Sequence, residues 1–181
     1  IFPGGLGCLT QTKESREDDL ENGWQQLCDK HITKDDIVVG FSASGTTPFV
    51  LSILKHCRKE GIPTGCIVNN PHSPIAEWAD YEVEVITGPE FVTGSTRMKA
   101  GTSQKLILDM ISTTLQIRQG RVEGNKMVNA KLINHKLIDR ACRIFMERNS
   151  EYKDYEEVRQ LILKAGSVKK AEMMISRHFD M

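Results

Sequence analysis

The chain has 181 residues, 39% of them apolar and 27% charged, with 24 Lys and Arg balanced by 24 Asp and Glu. That size and composition suit a soluble globular domain with its own core. A formal net charge of zero argues against nucleic acid or an anionic membrane as the main partner, and no apolar run approaches a membrane span.

The sequence starts "IFPGG", without methionine, and is expected to be a piece of a longer protein. The five cysteines (Cys8, Cys28, Cys57, Cys66 and Cys142) are odd in number and show no C-x-x-C spacing. This pattern points to reduced thiols in a cytosolic protein rather than to disulfides or zinc. The histidines are scattered without metal-ligand spacing, so no metal site is expected; no cofactor is expected either.

Residues 14–29, "ESREDDLENGWQQLCD", are acidic and then amphipathic, which predicts a helix over 18–28. Within the acidic run, Glu17 sits among Glu14, Asp18, Asp19 and Glu21. Crowded carboxylates raise one another's pKa, which suits a proton-transfer group. Acidic runs at helix starts, however, more often remain solvated and serve the helix dipole alone.

The β-branched run over 37–41 reads as a buried parallel strand. It breaks into "SASGTT", after which "PFVLSILKHCRKEG" reads as a helix. Thr47 stands at its N-cap, Pro48 at the first helical position and Gly61 at a left-handed stop. Phe49, Val50, Ile53, Leu54 and Cys57 share one face. "GCIVNN" (65–70) reads as a second buried strand, and the alternating "YEVEVI" (81–86) as a third, at a sheet edge. Strands alternating with helices indicate a parallel α/β unit.

From Thr102 onward the periodicity is helical. Leu106, Ile107, Met110, Ile111 and Leu115 mark one helix, which Gly120 ends. "NAKLINHKLIDRACRIFMERN", "YEEVRQLILKAG" and "SVKKAEMMISRHF" supply three more, the last two separated by Gly166. The expected organisation is an α/β domain over 1–128 and a helical segment over 129–181.

Ligands of doubly wound sheets bind beyond the carboxyl ends of the strands. "SASGTT" occupies such an end, with hydroxyls from Ser42, Ser44, Thr46 and Thr47 and close backbone approach at Gly45. It is neither a Walker loop nor G-x-G-x-x-G. A small phosphate and a simple cap-and-turn are balanced readings of it. "GPEFVTGSTRMKAGTSQK" (88–105) repeats the idea, with hydroxyls from Ser95 and Thr96 and charged donors in Arg97 and Lys99. The plainer alternative leaves both cations solvated and makes Thr102 the helix cap. Two such elements together favour a sugar phosphate.

The stretches "GFSASGTTPFV", "TGPEFVTGSTRMKAGTSQKLILDMISTTLQIRQGRVEGNKMV" and "NHKLIDRACRI" closely resemble the N-acetylmuramic acid 6-phosphate etherase family of the SIS (sugar isomerase) superfamily. The resemblance covers almost the whole chain. It implies an SIS-type doubly wound parallel sheet flanked by helices, and a cytoplasmic lyase of cell-wall amino-sugar recycling, typically a homodimer. In that chemistry one glutamate takes the C2 proton of the open-chain sugar and another protonates the departing lactyl oxygen, after which water adds. The match places one of the two glutamates at Glu17. It assigns phosphate to Ser42 and Ser44, with Gly45, Thr46 and Thr47 adjoining. The other glutamate and a first strand would precede Ile1, leaving about three of five strands. The SIS superfamily also holds non-catalytic sugar-phosphate regulators and aldose–ketose isomerases, and both are alternatives. His135, lone in "NHKL", could approach the site across the interface of such a dimer, but a lone histidine is more often structural.

Overall fold

The apolar runs around residues 40, 66 and 83 become three parallel strands, β1 (Val38–Ser42), β2 (Thr64–Val68) and β3 (Tyr81–Glu84). They form one sheet in the order β1-β2-β3, with Gly40 opposite Cys66 and Val68 opposite Glu84. The computed structural model describes residues 1–11 and 14–179. The chain divides into two compact units, 1–108 and 109–181.

In the first unit β2 is central and all five of its residues are buried, as a continuous apolar run requires. The first strand departs from expectation. Val39 is 38% exposed and Ile37, just before it, 56%. Among the described residues β1 lies at one end of the sheet, with Gly40 and Ser42 turned inward. The third strand takes the opposite edge, and Glu82 and Glu84 both face water.

Between β1 and β2 runs α2 (Pro48–Lys59), with proline in its first turn and Gly61 at φ 70° after it. Phe49, Ile53, Leu54 and Cys57 are buried along its predicted face. They join Leu27 and Ile62 on one side and Cys66, Val68, Ile75 and Ala76 on the other. The first helix, α1 (Asn22–Cys28), is shorter than the predicted 18–28. The Asp19 carboxylate accepts from the backbone N–H of Asn22 at 3.0 Å and of Glu21 at 3.3 Å, closing a turn where the helix would have begun. Ahead of it Glu14–Asp18 forms a 3-10 helix that packs against α2.

The next helix, α3 (Lys99–Arg118), begins before Thr102, so that residue is not its cap. Of its residues only Ala100 is buried. On the face marked by periodicity, Leu106, Met110, Ile111 and Leu115 are 41–56% exposed and Ile107 is half-buried.

The second unit holds a short antiparallel hairpin, β4 (Val122–Glu123) and β5 (Lys126–Met127), that periodicity does not reveal because two residues carry no period. Three helices follow: α4 (His135–Arg148), α5 (Tyr155–Ala165) and α6 (Val168–Phe179). Asn134 caps α4 by accepting from Leu137 N–H, and Asp154 caps α5 by accepting from Glu156 and Glu157 N–H. Gly166 ends α5 at φ 83°. Phe145, Cys142, Val158, Ile162, Val168 and Ala171 form the core between the helices, with Val128. Arg148 binds both Glu123 and Glu172 at 2.7 Å.

Candidate functional site

The predicted "SASGTT" loop leaves the carboxyl end of β1 and feeds the N-terminus of α2, where an anion is favoured by backbone N–H groups and the helix dipole. Its four hydroxyls form one hydrogen-bonded cluster. Ser42 Oγ lies 2.8 Å from Thr47 Oγ1 and 3.3 Å from Ser44 Oγ, and it accepts from Gly45 N–H at 3.0 Å. Ser44 Oγ accepts from Thr46 N–H at 3.2 Å and from Thr46 Oγ1 at 3.0 Å. Thr47 holds the N-cap position, but its hydroxyl bonds Ser42 rather than a helix amide.

The cluster has two layers. Ser42 is buried and Thr47 half-buried, whereas Ser44 and Thr46 face solvent. The inner pair shapes the loop, and the outer pair is available to a ligand. Gly45 stands at φ 75°, and a Cβ there would lie 2.2 Å from Ser73 Cβ, so glycine is required by both conformation and space.

Two asparagines, read from the sequence as part of the second strand but lying just past its end at Val68, tie this loop to the rest of the sheet end. Asn69 N–H and Asn70 Nδ2 both donate to Ala43 O, at 3.2 and 2.9 Å. The buried Asn69 side chain also donates to Val85 O at 2.9 Å and to Ser103 Oγ at 2.7 Å, while its Oδ1 accepts from Gln104 Nε2 at 2.9 Å. The start of α3 and the "SASGTT" loop therefore share one anchor. Their position just past a buried strand was the available signal for these asparagines.

Ser95, Thr96 and Lys99 lie together on the second loop, at the start of α3. Ser95 is half-buried and Thr96 exposed. Lys99 is turned back on the chain, its Nζ donating to Pro89 O at 2.9 Å. The first amides of α3 are already bound to an anion of the protein itself. Glu90 accepts from Lys99 N–H at 2.9 Å and from Ala100 N–H at 3.0 Å. These donors hold its carboxyl below the ordinary carboxylate value. As the one acid in a cationic, glycine-rich stretch, Glu90 was visible in the sequence, but its partner is nine residues away.

Glu17 lies on the exposed 3-10 helix packed against α2. Its carboxylate has no side-chain partner among the described residues. Leu20, just after it, is fixed by Ser52 Oγ of α2, which donates to Leu20 O. Within the same run the Asp19 carboxyl is lowered, first by the Asn22 N–H, opposite in direction to mutual raising by crowded carboxylates. Among the described residues no group of three or more His, Cys, Asp or Glu could hold a metal ion, and no helix is long and apolar enough to cross a membrane.

A three-stranded parallel sheet flanked by helices, with hydroxyl-rich loops at the carboxyl ends of its strands, defines an α/β protein of the parallel-sheet class. The SIS domain family matches residues 23–113, and the chain belongs to it. It is 51% identical over 178 residues to the N-acetylmuramic acid 6-phosphate etherase of Bacteroides thetaiotaomicron, covering 98% of this chain and 64% of that protein. The etherase of Porphyromonas gingivalis is 51% identical over 170 residues, covering 93% of this chain and 61% of that protein. That of Bacteroides fragilis is 48% identical over 171 residues, covering 94% and 60%. The chain thus spans under two thirds of the length of these curated relatives.

Proposed function

We propose that this chain is the sugar-phosphate-binding part of a carbon–oxygen lyase that converts N-acetylmuramic acid 6-phosphate and water into N-acetylglucosamine 6-phosphate and D-lactate. The observation that carries the reading is the two-layered hydroxyl cluster at the end of β1, found in a chain about half identical to proteins named for that activity. The solvent-facing Ser44 and Thr46 hydroxyls, with the N-terminus of α2 behind them, take the 6-phosphate. Ser42, Gly45 and Thr47 hold that loop in shape, and Ser95, Thr96 and Lys99 border the sugar from the second loop.

In this reading the first step removes the C2 proton of the open-chain sugar and breaks the C3–O bond to the lactyl group, leaving a C2=C3 double bond. The lactyl oxygen leaves with a proton, as D-lactate. Water then returns a hydroxyl to C3 and a proton to C2. Two carboxyl groups share the acid and base roles, and Glu17 is one of them. Its exposure on a helix seated against α2 supports a place at the open side of the sheet end. The second has no counterpart within 1–181 in this reading. The site belongs to the α/β part, 1–128, with 129–181 as a helical segment, in a cytoplasmic homodimer.

The test is D-lactate release from N-acetylmuramic acid 6-phosphate, measured for this chain alone and joined to the portion of a relative that it does not span. Lactate from the joined protein, lost in Glu17→Gln, supports the lyase and the role of Glu17. Thermal stabilisation by sugar phosphates without any lactate would instead assign a regulator, and a ketose product an isomerase.

A further inference from the structure

The proposed chemistry gives Glu90 no task, yet its carboxylate is among the most closely held groups at the sheet end. Oε2 accepts from Lys99 N–H and Oε1 from Ala100 N–H, so both oxygens rest on the first turn of α3. Lys99 Nζ returns along the same path to Pro89 O. The two ends of the 90–99 loop are thereby tied together. Inside the loop, Val92 O accepts from Ser95 N–H at 2.9 Å and Thr96 O accepts from Gly101 N–H at 2.9 Å. The side chains of Ser95, Thr96 and Arg97, by contrast, have no partner among the described residues. A loop with closed ends and free hydroxyl and guanidinium groups is organised toward something outside itself.

We propose that Glu90 is a positioning residue for the sugar phosphate: by occupying the α3 amides it locks the 90–99 loop so that Ser95, Thr96 and Arg97 face the ligand. It also keeps the ligand's phosphate off the α3 terminus, leaving the Ser44 and Thr46 loop as the phosphate seat. The role rests on the sugar-phosphate reading above. Asn69, which bonds both Ala43 and Ser103, gives the locked loop a fixed place relative to that seat.

The experiment uses this chain joined to the portion of a relative that it does not span, as wild type, Glu90→Gln and Ser44→Ala, with N-acetylglucosamine 6-phosphate as probe. Calorimetry reads the dissociation constant, and amide exchange reads the first turn of α3. Glu90→Gln keeps one acceptor oxygen for one of the two amides, but it sets an NH2 group against the other and removes the charge, so one bond is lost and the remaining one weakened. The expected result is binding weakened by about tenfold or more, the scale of one charge-assisted bond. Lys99 and Ala100 amides exchange faster, while Gly45 and Thr46 amides and the melting temperature stay near wild type. Ser44→Ala weakens binding without changing exchange in α3. The positioning role is overturned if Glu90→Gln binds like wild type while Ser44→Ala does not, or if α3 exchange is unchanged. Absence of binding by wild type overturns the sugar-phosphate reading itself, and the role of Glu90 with it.

Discussion

Asn69 Nδ2 donates to Ser103 Oγ at 2.7 Å, joining the end of the central strand to the second turn of α3. The same amide serves Val85 O, and its oxygen accepts from Gln104. Because Asn69 is only 5% exposed, water cannot replace these partners. Asn69→Ala is expected to destabilise the protein by about 2 kcal/mol, the cost of leaving buried polar groups unpaired. Urea unfolding should show a lower midpoint at an unchanged slope.

Gly45→Ala should be more damaging than its size suggests. The residue is at φ 75°, and the new methyl would meet Ser73 Cβ at 2.2 Å. Left-handed strain alone costs about 1–3 kcal/mol, and Ser73, 3% exposed, has little room to move. A lower melting temperature together with lost sugar-phosphate binding is the expected pair of results.

The two hydroxyl layers predict a division of effects. Ser42→Ala removes the acceptor for Gly45 N–H and the partner of Thr47, so it should lower stability by about 1–3 kcal/mol. Thr46→Ala changes an exposed residue and should leave thermal unfolding close to wild type while weakening sugar-phosphate affinity. Parallel calorimetry and thermal denaturation of both variants would check the separation.

Acid should loosen the first unit through Asp80. Its carboxyl is lowered from the ordinary 3.8, chiefly by accepting from Thr64 N–H and also from Thr64 Oγ1. A depressed folded-state value means that this stabilisation is complete above the ordinary value and is lost as pH falls through the folded one. Stability should therefore drop as pH falls below about 4, the ordinary range for aspartate. Asp80→Asn should reduce the acid-dependent part. Denaturant midpoints of both proteins between neutral pH and pH 3 would measure the difference.

Thiol reactivity should follow burial. Cys28 is exposed and Cys8 half-buried, whereas Cys57, Cys66 and Cys142 lie in the cores. Burial pushes the Cys57 thiol up to about 11, and raises Cys66 and Cys142 as well. A thiol reagent at neutral pH should label Cys28 first, and these three only on unfolding, as peptide mass mapping would reveal.

Much of this architecture could be read in advance. The strand around Cys66, the helix from Pro48 and the stops at Gly61, Gly120 and Gly166 follow from local rules, because period, proline and left-handed glycine act over a few residues. The cluster of Ser42, Ser44, Thr46 and Thr47 was legible for the same reason: all its hydrogen bonds join residues at most five apart. The start of α3 was misjudged because Thr102 looks like a cap, whereas Glu90 does the capping from outside the expected window.

By itself, then, the sequence determined a parallel α/β unit and the loop at the end of its first strand, since these depend on residue type and short spacing, while its resemblance to known proteins carried the membership in the SIS domain family. Tertiary structure alone decided that Asn69 joins two loops and that the α3 amides hold Glu90. Each of those facts depends on partners brought together by folding, between 9 and 35 positions apart, and no local pattern encodes such a meeting.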